Sequence, residues 1–304
     1  MIVRCGGYQG ETSIHTRALR AIASRLGESG IAAELTANVT QHGRKAADLL
    51  AMVERGELDL CYFSSSYLAE RVPALRLLDI PFFITDRRKA YRHLDGPLGN
   101  RLMADVQAAT GYRVLGFWDN GFRHISNRLR PIHAPRDCAG MKIRTLDNPL
   151  HQEVFRAFGF VPRIVDVKDL PGAVASGAVD AQENPLTNVV NFDLHRTHRH
   201  ISLTAHFFGV ALLLVNAEHF DGWHADTQRA VRAAAAAATE EQRALAASED
   251  VDCLARLKRD GCEIVAGDAI DRAGFEAATA PIRARETVSL DPGLRALIED
   301  TRAR

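Results

Sequence analysis

Strand-like and helix-like stretches alternate along this chain, and the alternation predicts an α/β fold built as two lobes. Three observations carry that reading. Short apolar runs of strand length separate segments whose apolar residues recur with a helical period of about 3.6 residues. The chain has 304 residues, more than one ordinary core organises, so two lobes are expected. An alanine-rich stretch at 225–260 reads as one helix of about 50 Å, longer than a single lobe and suited to bridge both as a strut.

The elements follow in order. Residues 1–5 read as a short strand. Ser13 suits the cap of a helix that carries Ile14, Ala18, Leu19, Ile22 and Leu26 on one face and ends at Gly27 or Gly30. Residues 31–36 form the next strand. Residues 45–55 form a helix with Leu49, Leu50 and Val53 inward, stopped by Gly56. The run at 58–63 is a buried strand leading into Ser64, Ser65 and Ser66. This βαβαβ order implies a parallel sheet with right-handed crossovers. Beyond it, 86–109 is largely helical, and 113–118 and 141–144 are strands. Pro149 suits the first turn of a helix bearing Val154, Phe155 and Phe158. Residues 161–165 are a strand, 169–175 a short helix ended by Gly177, and 178–182 a strand reaching Glu183 and Asn184. The unbroken apolar run at 210–215 fits a strand covered on both faces.

Composition narrows the function. Hydrophobic residues make up 46% and charged residues 25%, as in soluble globular proteins. Lys plus Arg is 38 and Asp plus Glu is 38, a balance that argues against a nucleic-acid groove or a membrane-surface patch. The basic stretch at 128–136 reads as a solvated face. There is no basic start followed by an apolar run of roughly 7–15 residues, so at face value the chain reads as cytoplasmic. A chain trimmed of its leader would read the same. Five cysteines occur without a C-x-x-C spacing, which disfavours zinc and thioredoxin chemistry. Cys253 and Cys262 lie nine apart and pair if the chain turns back at Gly261. Otherwise all five are small buried hydrophobes.

Familiar catalytic motifs are missing. Gly6-Gly7-x-x-Gly10 lacks the dinucleotide-binding pattern, and no P-loop, G-x-S-x-G or H-E-x-x-H occurs. His195, His198 and His200 are interspersed with Arg196 and Arg199, which repel a cation, so they read as a solvated loop and not as a metal site. Glu183 has the chemistry of a general base, yet no nucleophile or second titratable group stands in a fixed relation to it. No cofactor and no metal are expected. Three residues point elsewhere: Arg123, Arg144 and Asn184 each sit at or near the end of a predicted strand. Strand ends in open α/β sheets are where small ligands bind. A guanidinium stays charged and meets a carboxylate with two parallel hydrogen bonds. Together they suggest a pocket for a small organic acid.

Five segments carry a resemblance. They are Leu78-Asp79-Ile80-Pro81-Phe82-Phe83, Leu94-Asp95-Gly96-Pro97-Leu98-Gly99, the run from Gly116 through Trp118 and Arg123 to His124, Gly140-Met141-Lys142-Ile143-Arg144, and the run from Gly177 through Asn184 to Pro185. In this order they resemble the DctP-type solute-binding proteins of tripartite ATP-independent periplasmic (TRAP) transporters, over roughly residues 1–265. The resemblance implies a bilobed, type II-like periplasmic-binding-protein fold whose lobes are joined by hinge strands and a long spanning helix. It places lobe I at 1–120 plus about 209–248 and lobe II at 121–208 plus about 249–304. It implies a periplasmic protein that closes on a carboxylate and delivers it to small and large membrane subunits for ion-driven uptake, without chemistry.

The resemblance also implies residue roles. The carboxylate clamp falls on Arg144, an accessory arginine on Arg123 and the pocket asparagine on Asn184. Tyr8, Gln9, Ser64, Ser65, Trp118, Asn120, Asp147, Asn148 and Phe207 are expected around the cleft, with Trp118 half core and half wall. Asn184 before Pro185 also suits a helix cap. A monomer is the default. The chain departs from the family in the stretch 166–171 and in the loop 6–12. These departures suggest a ligand other than a plain C4-dicarboxylate, with a second polar or cationic feature meeting Asp166 or Glu11. Two other readings stay open: a cytoplasmic enzyme on a small acid with Glu183 or His124 as base, and a sensory or scavenging protein using the same cleft.

Overall fold

The computed structural model describes residues 1–303, with side chains described through residue 297. Nine strands form one sheet. They are β1 (Ile2–Gly6), β2 (Ala32–Thr36), β3 (Leu60–Ser64), β4 (Tyr112–Asn127), β5 (Lys142–Thr145), β6 (Val161–Ile164), β7 (Ala181–Pro185), β8 (His200–Asn216) and β9 (Glu263–Val265). The helices are α1 (Ile14–Glu28), α2 (Asp48–Glu54), α3 (Arg87–Leu94), α4 (Pro97–Ala109), α5 (Pro149–Ala157), α6 (Leu170–Ala175), α7 (Leu186–Asn191), α8 (Ala217–Gly222), α9 (Ala225–Arg259), α10 (Arg272–Ala278), α11 (Ala280–Ser289) and α12 (Pro292–Ala303).

The strand order is β2-β1-β3-β8-β4-β7-β5-β6, with β9 beside β8. β1 pairs parallel with β2 and β3 at one end, and β5 pairs parallel with β6 and β7 at the other. Between them β8 and β4 run antiparallel to each other and to their outer neighbours. The sheet is therefore mixed, where the βαβαβ pattern alone implied a parallel one. Two strands are also much longer than their apolar runs suggested. β4 has 16 residues and β8 has 17, so Arg123 lies inside a strand and not at its end. The apolar runs marked only the parts buried on both faces.

Each half of the sheet is covered on both sides. In β3, Leu60 and Tyr62 face one core while Cys61 and Phe63 face another. In β8, Ala211, Leu213 and Val215 alternate in the same way with Val210, Leu212 and Leu214. Double coverage removes the polar face, which is why these stretches read as unbroken apolar runs. In the other half, Ile143 and Ala181 join Val154, Phe155 and Phe158 in a third core. Leu170, Val174, Val189 and Ile201 build a fourth.

The 35-residue α9 ties the halves together. Its Val231, Ala234, Ala235 and Ala238 enter a core of the first half, and its Cys253 and Leu257 enter a core of the second. A Cβ on Gly116 would lie 2.6 Å from Thr239 Oγ1, so that glycine lets α9 lie close against β4. Where the β4–β8 register slips between Asp119 and Gly121, Gln242 of α9 takes the place of a strand partner. Its side chain accepts from the Asp119 amide at 2.8 Å and donates to the Asp119 carbonyl at 2.6 Å.

Several local expectations shift. The helical stretch 86–109 is two helices, because Gly96 and Pro97 end one and start the next. The tail does not stay with the second half as the 249–304 boundary placed it. Phe275 and Ile282 pack there, but Leu290 and Leu294 pack into the first half beside Leu98, Leu102 and Val106. His195 and His198 are buried rather than solvated, and no group of metal-holding side chains exists among the described residues. All five cysteines are free thiols, so Cys253 and Cys262 do not pair. No described helix is long and apolar enough to cross a membrane.

The alanine face of α9 has no room for a larger side chain. Ala238→Leu is expected to destabilise the fold by about 1–3 kcal/mol, seen as a lower urea midpoint.

Candidate functional site

The carboxyl ends of β1, β3, β5 and β7 converge on one crevice, as expected for parallel α/β units. Its wall consists of Tyr8, Phe63, Ser64, Tyr67 and Asn120 from the first half and Arg123, Arg144, Leu146, Val167, Asn184 and Asn188 from the second. The free space within this partly open crevice is about 30 Å³, the space of roughly two or three waters.

Arg144 on β5 is only 2% exposed. Its Nε donates to the Val165 carbonyl at 2.8 Å, which fixes the guanidinium plane. No carboxylate lies within ion-pair distance of it among the described residues, although other arginines such as Arg123 and Arg243 are paired. Burial pushes the neighbouring Tyr67 phenol up, with Arg144 the strongest opposing influence.

Arg123 on β4 differs. Its Nη2 donates to Glu183 Oε1 at 2.7 Å and to the Glu183 carbonyl at 3.0 Å, and its Nε reaches Glu183 Oε2. Burial would raise the Glu183 carboxyl, but Arg123 and His206 outweigh it and hold the group well below the usual carboxylate range. Glu183 is therefore an ionised, paired anion and cannot serve as the base of the enzyme reading. His124 is also engaged, since its Nδ1 accepts from the Ala205 amide at 3.1 Å.

Asn184 on β7 does not cap α7. It donates to Gln182 Oε1 at 2.6 Å and accepts from Arg123 and from Asn188 Nδ2. Asn188 in turn accepts from Gln9 Nε2 at 3.0 Å, so Gln9 spans the cleft instead of lining it. Lys168 Nζ crosses likewise, donating to the Gly43 carbonyl at 3.1 Å.

Of the twelve expected residues, Tyr8, Ser64, Asn120, Arg123, Arg144 and Asn184 line the cavity. The other six lie elsewhere. Trp118 is 1% exposed, and its indole donates to Thr239 Oγ1 at 3.0 Å in a core shared with Tyr62. The register slip between Asp119 and Gly121 breaks the two-residue alternation that would put both on one face, so Trp118 enters the core while Asn120 borders the cleft. Phe207 stacks on His151 at 4.3 Å inside the third core. Asn148 caps α5 and donates to the Ser66 carbonyl and to Asp79. Ser65 is buried in the turn after β3. Asp147 and Asp166 line a separate outer chamber, and Glu11 pairs with Arg20 on the surface.

Phe63, Tyr67, Leu146, Val167 and Asn188 were not expected in the wall. Asn188 carried no signal of its own, because Asn184 lies on β7 and the helix that bears Asn188 begins only at Leu186. The apolar four carried none that separates wall from core.

A crevice between two α/β halves, with the unpaired Arg144 guanidinium in its wall, is the arrangement of a bilobed solute-binding protein. The model of the bacterial extracellular solute-binding protein family 7, DctP, matches residues 34–287, and the chain belongs to that family. The 2,3-diketo-L-gulonate-binding periplasmic protein YiaO of Escherichia coli is 30% identical over 76% of this chain and 69% of its own length. The C4-dicarboxylate-binding periplasmic protein DctP of Rhodobacter capsulatus is 27% identical over 69% of this chain and 63% of its own. Among solved structures, a TRAP periplasmic solute-binding protein from Polaromonas sp. JS666 bound to D-erythronate superimposes with a TM-score of 0.91 at 28% identity, covering 98% of both chains.

Trp118→Phe is expected to cost about 1–3 kcal/mol through the lost indole bond and to leave ligand affinity unchanged in calorimetry. A pH dependence also follows. Burial lowers His15 to about 3 and His198 to about 4, from an ordinary value near 6.5. Below pH 6.5 the unfolded chain takes up protons that these rings refuse, so acidification destabilises the fold by about 1.4 kcal/mol per pH unit for each ring. Asp119, raised by burial to about 6 from 3.8, works the other way over that narrower window. The melting temperature should fall from pH 6.5 to 4.5, and less steeply in His198→Gln.

Proposed function

We propose that this protein is the extracytoplasmic receptor of a TRAP transporter, binding a small organic acid between its lobes and handing it to the small and large membrane subunits for ion-gradient-driven uptake. One observation carries the proposal: Arg144 is buried at the cleft wall with its charge uncompensated. Removing a charge from water without a partner is costly, so the arrangement fits a protein whose missing partner is the ligand's carboxylate. The named ligands of the relatives, D-erythronate, 2,3-diketo-L-gulonate and C4-dicarboxylates, are all carboxylates.

The free space is smaller than such acids, so entry requires the lobes to part. The slipped register at Asp119–Gly121 faces Gly209, where a Cβ would sit 3.1 Å from Asn120 Cβ. That bend is the reading's hinge and divides the lobes near 120 and 209. Closure brings Gln9 onto Asn188 and dries the ion pair, strengthening it. The resemblance of the family supports a periplasmic location and argues against catalysis.

A thermal-shift screen of organic acids should find a stabilising ligand. With that acid, Arg144→Ala is expected to lose about 2–5 kcal/mol of binding free energy, measured by calorimetry on a variant whose melting temperature without ligand shows it folded. Arg144→Lys should also bind more weakly, because an ammonium lacks the planar fork. Wild-type affinity in Arg144→Ala would refute the reading.

A further inference from the structure

The wall of the cleft carries a definite charge count. Two guanidinium groups reach it, but Glu183 grips Arg123 in a pair that is almost wholly buried. Arg144 therefore leaves one net positive charge. The remaining polar wall groups are neutral: burial pushes the Tyr8 and Tyr67 phenols up, and the others are Ser64 and three asparagines. In a dry site an unmatched charge on the guest is as costly as one on the host. One positive charge calls for one carboxylate.

Asn120 adds a second requirement. It is 3% exposed, its Oδ1 is buried without a partner, and its carboxamide makes no hydrogen bond within the protein among the described residues. Asn184 and Asn188 differ, because their amides are engaged by each other, Gln182 and Gln9. An unsatisfied buried amide at a ligand wall asks the guest for a polar group. A hydroxyl both donates and accepts, so it satisfies either end of the carboxamide.

The outer side of the site reinforces the count. Beyond Tyr67 lies a chamber of about 530 Å³ whose described lining includes Asp147, Asp166 and Asp169 together with Lys45. A second carboxylate reaching outward would meet this acidic rim.

We propose that the cleft selects hydroxy monocarboxylates: Arg144 takes the carboxylate, Asn120 takes a hydroxyl of the same guest, and Glu183, by cancelling Arg123, withholds a seat for a second carboxylate. This inference rests on the carboxylate-clamp reading and narrows it. The relatives' named ligands include acids of one carboxylate and of two, so the choice rests on this chain's own wall.

The test is calorimetry on the wild-type protein with matched four-carbon and six-carbon acids. The hydroxy monoacids are D-erythronate and D-gluconate, the plain monoacids butyrate and hexanoate, the plain diacids succinate and adipate, and the hydroxy diacids tartrate and galactarate. In at least one series the hydroxy monoacid should bind, with each of its three counterparts weaker by about tenfold or more. Glu183→Gln should narrow the gap between hydroxy diacid and hydroxy monoacid. Asn120→Ala should narrow the gap between hydroxy and plain monoacid. A diacid that binds as tightly as its matched monoacid, or a plain acid that equals its hydroxy counterpart, overturns the inference while the clamp stands. If neither series binds, or if Arg144→Ala keeps wild-type affinity, the clamp reading itself fails and takes this inference with it. Should a variant fail to fold, the wild-type ratios decide alone.

Discussion

The antiparallel pairing of β4 with β8 is the constraint on which the rest of the molecule depends. Both strands pass through the two halves of the sheet, so each half is completed by strands the other also uses. Backbone groups along such a pair must stay bonded wherever water is excluded. Where the register slips beside Asp119, the bonds are supplied by Gln242 of α9. Arg243, one residue further along the same helix, donates to the Phe117 carbonyl at 2.9 Å and pairs with Asp95. The long helix is thus more than a span. It holds the central strand where its register slips, with Asn120 inside that slip and Arg123 two residues beyond it.

The site then divides its charges by partner. Arg123 and Arg144 are the same residue type at similar burial, on β4 and β5 with β7 between them. One is neutralised inside the protein by Glu183, and the other is not. Breaking a buried pair is far more costly than never forming it, so Arg123 with Glu183 is a fixed part of the scaffold. Arg144 keeps its charge available because its acceptors among the described residues, the Val165 carbonyl and the Tyr67 hydroxyl, are neutral. Orientation is provided without neutralisation, which is what a reversible anion site requires.

Much of this was legible in the chain. The double-sided apolar runs marked β3 and the centre of β8, Ser13 marked the start of α1, and the alanine-rich stretch marked a helix long enough to join two cores. An arginine after a strand is more often a surface ion pair, so Arg144 stood out through the family resemblance carried by Gly140-Met141-Lys142-Ile143-Arg144. The errors share a cause. Trp118, Phe207 and Asn148 are near the cleft in sequence, yet an indole bond to Thr239, aromatic stacking on His151 and a capping bond to α5 turn them away. Proximity along the chain says nothing about which face a side chain takes when both faces are buried. The histidines at 195 and 198 misled for a related reason, since charged neighbours suggested water and the fold buried them.

What the sequence determined by itself was local and periodic: which stretches become strands or helices, where helices begin, and which residue types suit an acid. Those follow from backbone preferences and from patterns of a few residues, which need no knowledge of distant partners. Only the tertiary structure decided that Glu183 silences one arginine, that Asn120 is left without a partner, that the tail at Leu290 and Leu294 returns to the first half, and that Gln9 reaches across to Asn188. Each is a pairing between residues far apart along the chain. Charge and hydrogen-bond satisfaction are properties of such pairs, so they come into being only when the chain has folded.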